Sequence, residues 1–387
     1  MYLIMRENYS FLALLLFLLF ISCGGSSGSS TDDNGGSSGG GGTSTTTSYF
    51  SGTWVTNVAS DVLNSKAGIQ ACVDNCKKYG INNIFMVVWN KGVTMYPSSV
   101  MKNTFGIEQD AAYTGRDPLA EMITAAHKSN IKVYAWFEYG FATSYNANGG
   151  EIIKQKPEWA AKDSSGKLLN KGGFEWMNPF LPEVQDFLIS LFKEVVTNYD
   201  VDGVMGDDRL PACPSTGGYD DYTVNQYKQE NANAVPPTDY KNTAWVQWRA
   251  DKLTDFMKRL YAAVKAVKST VEVASAPSIY TWCKTEYLQD WPTWLSKGYI
   301  DRVIPQLYRY NISDYKTLLA QQLSYVSAAN KNKFSAALLI QNGSYNPTLD
   351  FLKQMIEADR SNSLTGECFW FYEGLPKFDA YFQTYKK

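Results

Sequence analysis

Eight strand-like apolar runs, each followed by a helix or by a loop and a helix, constrain the fold of this chain more than any other feature. The runs fall at 52–58, 83–90, 131–139, 203–207, 271–276, 303–308, 334–340 and 366–372. Helical patterns lie between them. One covers 66–79 and stops at Gly80, a residue suited to the left-handed turn that ends helices. Another covers 118–130, with Asp117 as its cap and Pro118 in its first turn. In 183–199 the apolar residues Val184, Phe187, Leu188, Leu191, Phe192 and Val195 recur with a period of about 3.6 residues. A long helix covers 243–268. Eight such units make an α/β protein, a (β/α)8 barrel of the TIM type with extended βα loops. An open doubly wound sheet normally carries a Gly-rich phosphate loop after its first strand, and none is present.

The first residues read differently. An apolar run over 11–21 is short for a membrane span and ends in Ile21-Ser-Cys23, the pattern of a lipoprotein signal cut before an acylated cysteine. The expected organisation is a signal peptide at 1–22, lipidation at Cys23, a disordered Gly/Ser/Thr tether over 23–48, and one folded domain over 49–387. This predicts a lipid-anchored protein of the cell envelope, periplasmic or on the outer surface, touching the membrane through that anchor alone. Disulfides are allowed there. Cys213 and Cys283, in loops after successive strands, are candidates for a bridge, whereas Cys72 and Cys76 share a helix face and read as buried thiols.

The chain has one histidine, His127, placed late in a helix and so at the end of the barrel away from the expected site. This removes Ser-His-Asp triads and most zinc hydrolases, leaving carboxylates, Tyr, Lys or Asn to carry chemistry. With a net charge of −2 and no basic block, nucleic acid is not an expected partner. Asp220-Asp221 lacks the spacing of a calcium loop, and neither metal nor cofactor is predicted. Trp and Tyr are frequent, at 11 and 26.

Acids at the C-terminal ends of the predicted strands are the candidates for catalysis: Glu138, Asp207 and Asp208, with Glu373 beside them. Crowded carboxylates repel, so one is expected to keep a proton beside an anion. Asp208 or Glu138 is the first choice of general acid, with Asp207 as nucleophile, base or orienting anion. Glu138 also suits a loop-holding role, and Glu373 a partner role for Arg209 or Arg309. Asp202, at the start of its strand, suits a turn. Trp89, Trp136, Trp176 and Trp370 lie near one rim, where aromatic faces stack on sugar rings. Asn90, Asn178, Gln306 and Tyr308 are candidate hydrogen-bonding partners of a sugar, and Asn178 before Pro179 equally suits loop shaping.

Together these stretches resemble the glycosyl hydrolase-like 10 family. The resemblance rests on Trp54-Val-Thr-Asn-Val58, Val88-Trp-Asn-Lys-Gly-Val-Thr-Met-Tyr-Pro97, Asp117-Pro-Leu119, Ala135-Trp-Phe-Glu-Tyr-Gly140, Trp176-Met-Asn-Pro-Phe180, Asp202-Gly-Val-Met-Gly-Asp-Asp-Arg209, Asp290-Trp-Pro-Thr-Trp-Leu295, Gln306-Leu-Tyr-Arg309 and Phe369-Trp-Phe-Tyr-Glu373. It implies a glycosidase-like barrel with a polysaccharide or oligosaccharide partner. One branch of the family acts on peptidoglycan strands stripped of their peptides. The chain departs from the family at Gly206, usually a larger residue, and at Arg209, often His or Tyr. The acid pair and Gln306-Leu-Tyr308 are also similar to hexosaminidases of families 18 and 20. In that arrangement Asp208 is the acid, Asp207 holds the substrate acetamide and Tyr308 touches its oxygen. Arg209, however, stands where family 18 has its catalytic Glu. The expectation is a glycoside hydrolase; the alternative is a carbohydrate-binding lipoprotein without catalysis.

Overall fold

The structure is a computed structural model that describes residues 49–385. The expected signal peptide, Cys23 and the tether lie outside the described residues. Eight parallel strands form the barrel: β1 Gly52–Val55, β2 Asn83–Val87, β3 Lys132–Trp136, β4 Gly203–Gly206, β5 Glu272–Ser275, β6 Arg302–Val303, β7 Ala336–Leu339 and β8 Glu367–Trp370. Their hydrogen-bonded order is β6-β5-β4-β3-β2-β1-β8-β7. Parallel bridges Val303–Phe334 and Gln306–Ala337 join β6 to β7 and complete the ring. Strands buried on both faces read as continuous apolar runs, as in Ile84-Phe-Met-Val87, where every side chain is enclosed.

The strands are shorter than the predicted runs, and in two of them the local reason is plain. The apolar run 83–90 leaves the barrel at Val87. Trp89–Asn90 then pairs antiparallel with Val93–Thr94 through Lys91 and Gly92, both with positive φ, the geometry of a tight hairpin turn. The run 303–308 is broken by Pro305, which has no N–H to give to the ladder. The long loop after β3 holds an antiparallel sheet of Ala142–Tyr145, Phe174–Trp176 and Asn170–Lys171, which the sequence pattern does not show.

Helix Pro182–Asn198 buries Val184, Phe187, Leu188, Leu191, Phe192 and Val195, the predicted stripe. Phe192 stacks on Phe137 with ring centroids 3.7 Å apart. Helix Pro118–His127 is capped by Asp117, which accepts from the Ala120 N–H at 3.0 Å. At the N-terminal end of the barrel, His127 Nε2 lies 2.9 Å from Asp202 Oδ2, and Asp202 also accepts from the Val133 N–H. Both residues therefore close the barrel floor. Cys213 and Cys283 are not bridged: each is a separate buried thiol, directed to the carbonyls of Pro214 and Gln289. Cys72 and Cys76 are buried thiols as well.

Candidate active site

The turn after β4 brings Asp207, Asp208 and Arg209 to the C-terminal mouth, and the turn after β3 brings Glu138. Two glycines allow these turns to touch. A Cβ on Gly140, whose φ is +51°, would stand 2.1 Å from the Arg209 carbonyl oxygen. That carbonyl accepts from the Phe141 N–H at 3.1 Å. A Cβ on Gly206 would stand 2.6 Å from the Leu210 carbonyl oxygen. Gly206 is thus what lets the β4 turn fold back over its own strand. Gly140→Ala is expected to cost about 1–3 kcal/mol through strain at positive φ and to push Arg209 outward. A thermal melt together with ligand binding would check it; an unchanged melt would contradict the close approach.

Arg209 is the hub. Its Nη2 lies 3.4 Å from Glu138 Oε1 and 3.5 Å from Asp207 Oδ2, and its Nη1 lies 3.1 Å from Asp208 Oδ1. Its Nε donates to the Glu138 carbonyl at 3.0 Å. The guanidinium sits over Phe174 at 4.6 Å and Tyr139 at 5.6 Å. Burial works against its charge, but the three carboxylates outweigh burial and hold the guanidinium firmly protonated.

The carboxylates differ in environment. Asp207 is 5 % exposed at its side chain, Glu138 11 % and Asp208 27 %. Asp207 accepts from the Trp136 indole N–H at 3.1 Å and from the Arg209 backbone N–H at 3.1 Å. Burial pushes its carboxyl well above the ordinary range against the pull of Arg209, and the charges of Asp208 and Glu138 add to the rise. Glu138 accepts from Asn90 Nδ2 at 2.5 Å. Burial raises it too, opposed by Arg209 and Asn90. Three carboxylates gather on one guanidinium, with Lys91 acting on Glu138 from further off. Burial and mutual repulsion thus favour the neutral form at Asp207 and Glu138, and these interacting acids titrate as a group rather than singly.

The structure brings together Glu138, Asp207, Asp208, Arg209, Asn90, Trp136, Tyr308 and Trp370. Tyr308 is half-buried, and burial raises its phenol, with Asp208 and then Asp207 adding to the rise. Its ring lies 6.4 Å from that of Trp370, which also meets Trp136 at 5.8 Å. Of the four rim tryptophans only Trp370 keeps accessible surface; Trp89, Trp136 and Trp176 are enclosed. Trp89 packs on Phe187 and donates to the Gly140 carbonyl, so it supports the β3 turn rather than facing the mouth.

Asn178 and Glu373 lie elsewhere, while Gln306 stays at the mouth end of β6. Asn178 is buried, donating to Asp220 and accepting from Phe180 N–H, and so shapes a loop. Asp220 caps helix Asp221–Glu230. Gln306 donates to the Ala276 carbonyl at 3.1 Å. Glu373 meets neither Arg209 nor Arg309. It accepts from Ser60 Oγ at 2.6 Å in a separate cleft of about 570 Å³ between the loops after β1 and β8. One residue absent from the sequence reading holds the site. Gln289 is fully buried and donates to the Asp207 carbonyl at 2.8 Å. Its signal was its position beside the Asp290-Trp-Pro stretch.

Comparisons with known sequences show the family, and those with solved structures show the fold. The family profile described as Glycosyl hydrolase-like 10 matches residues 50–350. Glycosyl hydrolase DigH of Escherichia coli (strain K12) is 26 % identical over 282 residues, covering 65 % of this chain and 61 % of DigH. Glycosyl hydrolase YngK of Bacillus subtilis (strain 168) is 24 % identical over 303 residues, covering 68 % of this chain and 56 % of YngK. The chain thus spans about three fifths of the length of these relatives. Among solved structures, the PgaB (BpsB) glycoside hydrolase domain from Bordetella bronchiseptica superposes with a TM-score of 0.64 at 13 % identity, over 87 % of this chain and 97 % of that one. The catalytic domain of a β-amylase from Paenibacillus polymyxa gives 0.62 at 12 % identity, over 87 % and 98 %. These two likenesses are of fold.

Proposed function

Because the chain belongs to the glycosyl hydrolase-like 10 family, we propose that it is a glycosidase that cleaves polysaccharides of 2-acetamido sugars, with peptidoglycan glycan strands as its expected substrate. One observation carries this reading: among the described residues, the acids gathered at the mouth come from two neighbouring turns. Glu138, Asp207 and Asp208 come from the turns after β3 and β4 and share one guanidinium. Across the mouth, the ends of β6 and β8 offer Tyr308 and Trp370, and Glu373 is turned onto Ser60. Both inverting and retaining glycosidases need a second carboxylate across the sugar ring, as base or nucleophile. A substrate that brings its own nucleophile, the 2-acetamide, needs none there.

Asp208, the most exposed of the three, passes the cluster's proton to the glycosidic oxygen as the C1–O bond breaks. The acetamide oxygen forms its bond to C1, giving a cyclic oxazolinium. Asp207 receives the acetamide N–H, and the Tyr308 hydroxyl faces the acetamide oxygen. Water then attacks C1, the ring opens, and the water's proton returns to Asp208. A lipid anchor at Cys23 would hold this site near envelope glycans.

The test is incubation of the protein with peptidoglycan glycan strands, with and without stem peptides, followed by mass spectrometry. Cleavage supports the reading, and binding without cleavage would leave a carbohydrate-binding protein. A pH profile adds a second check. Burial raises the carboxyls of Asp207 and Glu138 above their ordinary range. The falling limb of kcat/KM is therefore expected there, and a limb near the ordinary Asp value would contradict the shared proton.

A further inference from the structure

Two groups of aromatic rings leave the acid cluster in different directions. The first lies on helix Trp282–Tyr287, in the loop after β5. Tyr287 is half-buried, with Lys171 Nζ 4.4 Å from its ring centroid. Three hydrogen bonds fix the segment to the turn that carries the acids. Cys213 N–H donates to the Tyr287 carbonyl at 3.1 Å, Ser215 N–H to the Glu286 carbonyl at 2.9 Å, and Gln289 Nε2 to the Asp207 carbonyl at 2.8 Å. Tyr287 leans towards the β3 side, 6.1 Å from Trp176, and Trp282 continues outward from it at 5.5 Å.

The second group starts at Tyr308, past the end of β6, and leans the other way, onto Trp370 of β8, which meets Trp136, the indole that donates to Asp207. Tyr310 follows two residues later and meets Tyr345 edge-on at 4.9 Å. Tyr345 is held in a turn by a pair of backbone bonds with Asn342, at 3.0 and 2.9 Å. Trp282 is 45 % exposed and Tyr310 51 %. Each ring packs on one neighbour and keeps the rest of its surface in water, and a flat aromatic face so presented fits the apolar face of a pyranose.

We infer that these six rings form two arms that seat a glycan chain on both sides of the acid cluster, so that bonds are cut within a chain rather than at its end. The inference rests on the proposed glycosidase reading. It assigns Trp282 and Tyr310 as residues that read chain length and take no part in the bond cleavage.

The experiment compares wild type with Trp282→Ala and Tyr310→Ala on 2-acetamido oligosaccharides of increasing length. It measures kcat/KM, the size of the first products, and binding of the longest oligomer, the last also in a D208N background. Both rings are exposed, so folding is not at risk. For long oligomers each variant is expected to lose roughly five- to tenfold in kcat/KM and in affinity, with the shortest cleaved substrate unaffected. First products of mixed size are expected from wild type. Release of end units alone, or equal kinetics of variants and wild type at every length, would overturn the two-armed groove. If wild type cleaves nothing but both variants still weaken binding of long oligomers, the arms stand and the glycosidase reading fails.

Discussion

Asp208→Asn is expected to lower kcat by about 10²–10⁴-fold while leaving the affinity for glycan nearly unchanged, because it removes the proton donor and keeps the shape. The amide oxygen of the substituted side chain can still accept from Arg209 Nη1, which in the wild type lies 3.1 Å from the Asp208 carboxylate. With a 27 % exposed side chain, the substitution leaves no buried charge behind, so stability should change little. The discriminating pattern is a loss in kcat without a matching loss in thermal stability. Full activity in this variant would move the acid to Glu138. Asp207→Asn differs in its effect: both Asp207 oxygens accept from N–H groups, and an amide presents its own N–H to one of them. It should therefore lose stability as well as rate.

The second large effect concerns Arg209. Arg209→Met removes the one cation shared by three carboxylates and leaves them buried without it, at a cost of about 3–5 kcal/mol. The sign of its pH dependence follows from the acids. The folded-state pKa values of Asp207 and Glu138 lie above their ordinary values of 3.8 and 4.5. The stability they contribute is complete below those ordinary values and is lost as pH rises through the folded values. Removing Arg209 takes away a charge that lowers both, so both rise further. The deficit of the variant should therefore grow with rising pH and be larger at about pH 8 than at about pH 5. Urea unfolding at the two pH values measures it. An equal deficit at both would mean that the cluster is not electrostatically coupled through Arg209.

Strand and helix order were legible because burial writes itself into the sequence. The ladder of β2 is a continuous apolar run, and helix Pro182–Asn198 shows its stripe. Pro305 and the Lys91-Gly92 turn, which shorten two strands, were visible as residues, but their effect depends on neighbours across the sheet. The small sheet after β3 was not legible, since its strands are two to four residues long and carry no alternation. At the site, the identities of Glu138, Asp207 and Asp208 came from their position at strand ends. The central place of Arg209 did not, because it depends on Gly140 and Gly206 letting two distant turns touch. Direction was the weakest point. Trp89 and Trp176 sit near the rim in sequence yet are enclosed, and Glu373 faces a lateral cleft. Strand parity tells inside from outside only while the strand lasts.

The central claim is that the substrate supplies the nucleophile which the far side of the mouth lacks. Matched oligosaccharides that differ only in the 2-substituent test it most directly: acetamide, fluorinated acetamides of falling nucleophilicity, and free amine. The predicted result is a steep drop in kcat along the fluorinated series and no cleavage of the free amine. Equal rates across the series would contradict it and would require a nucleophile or base from the protein.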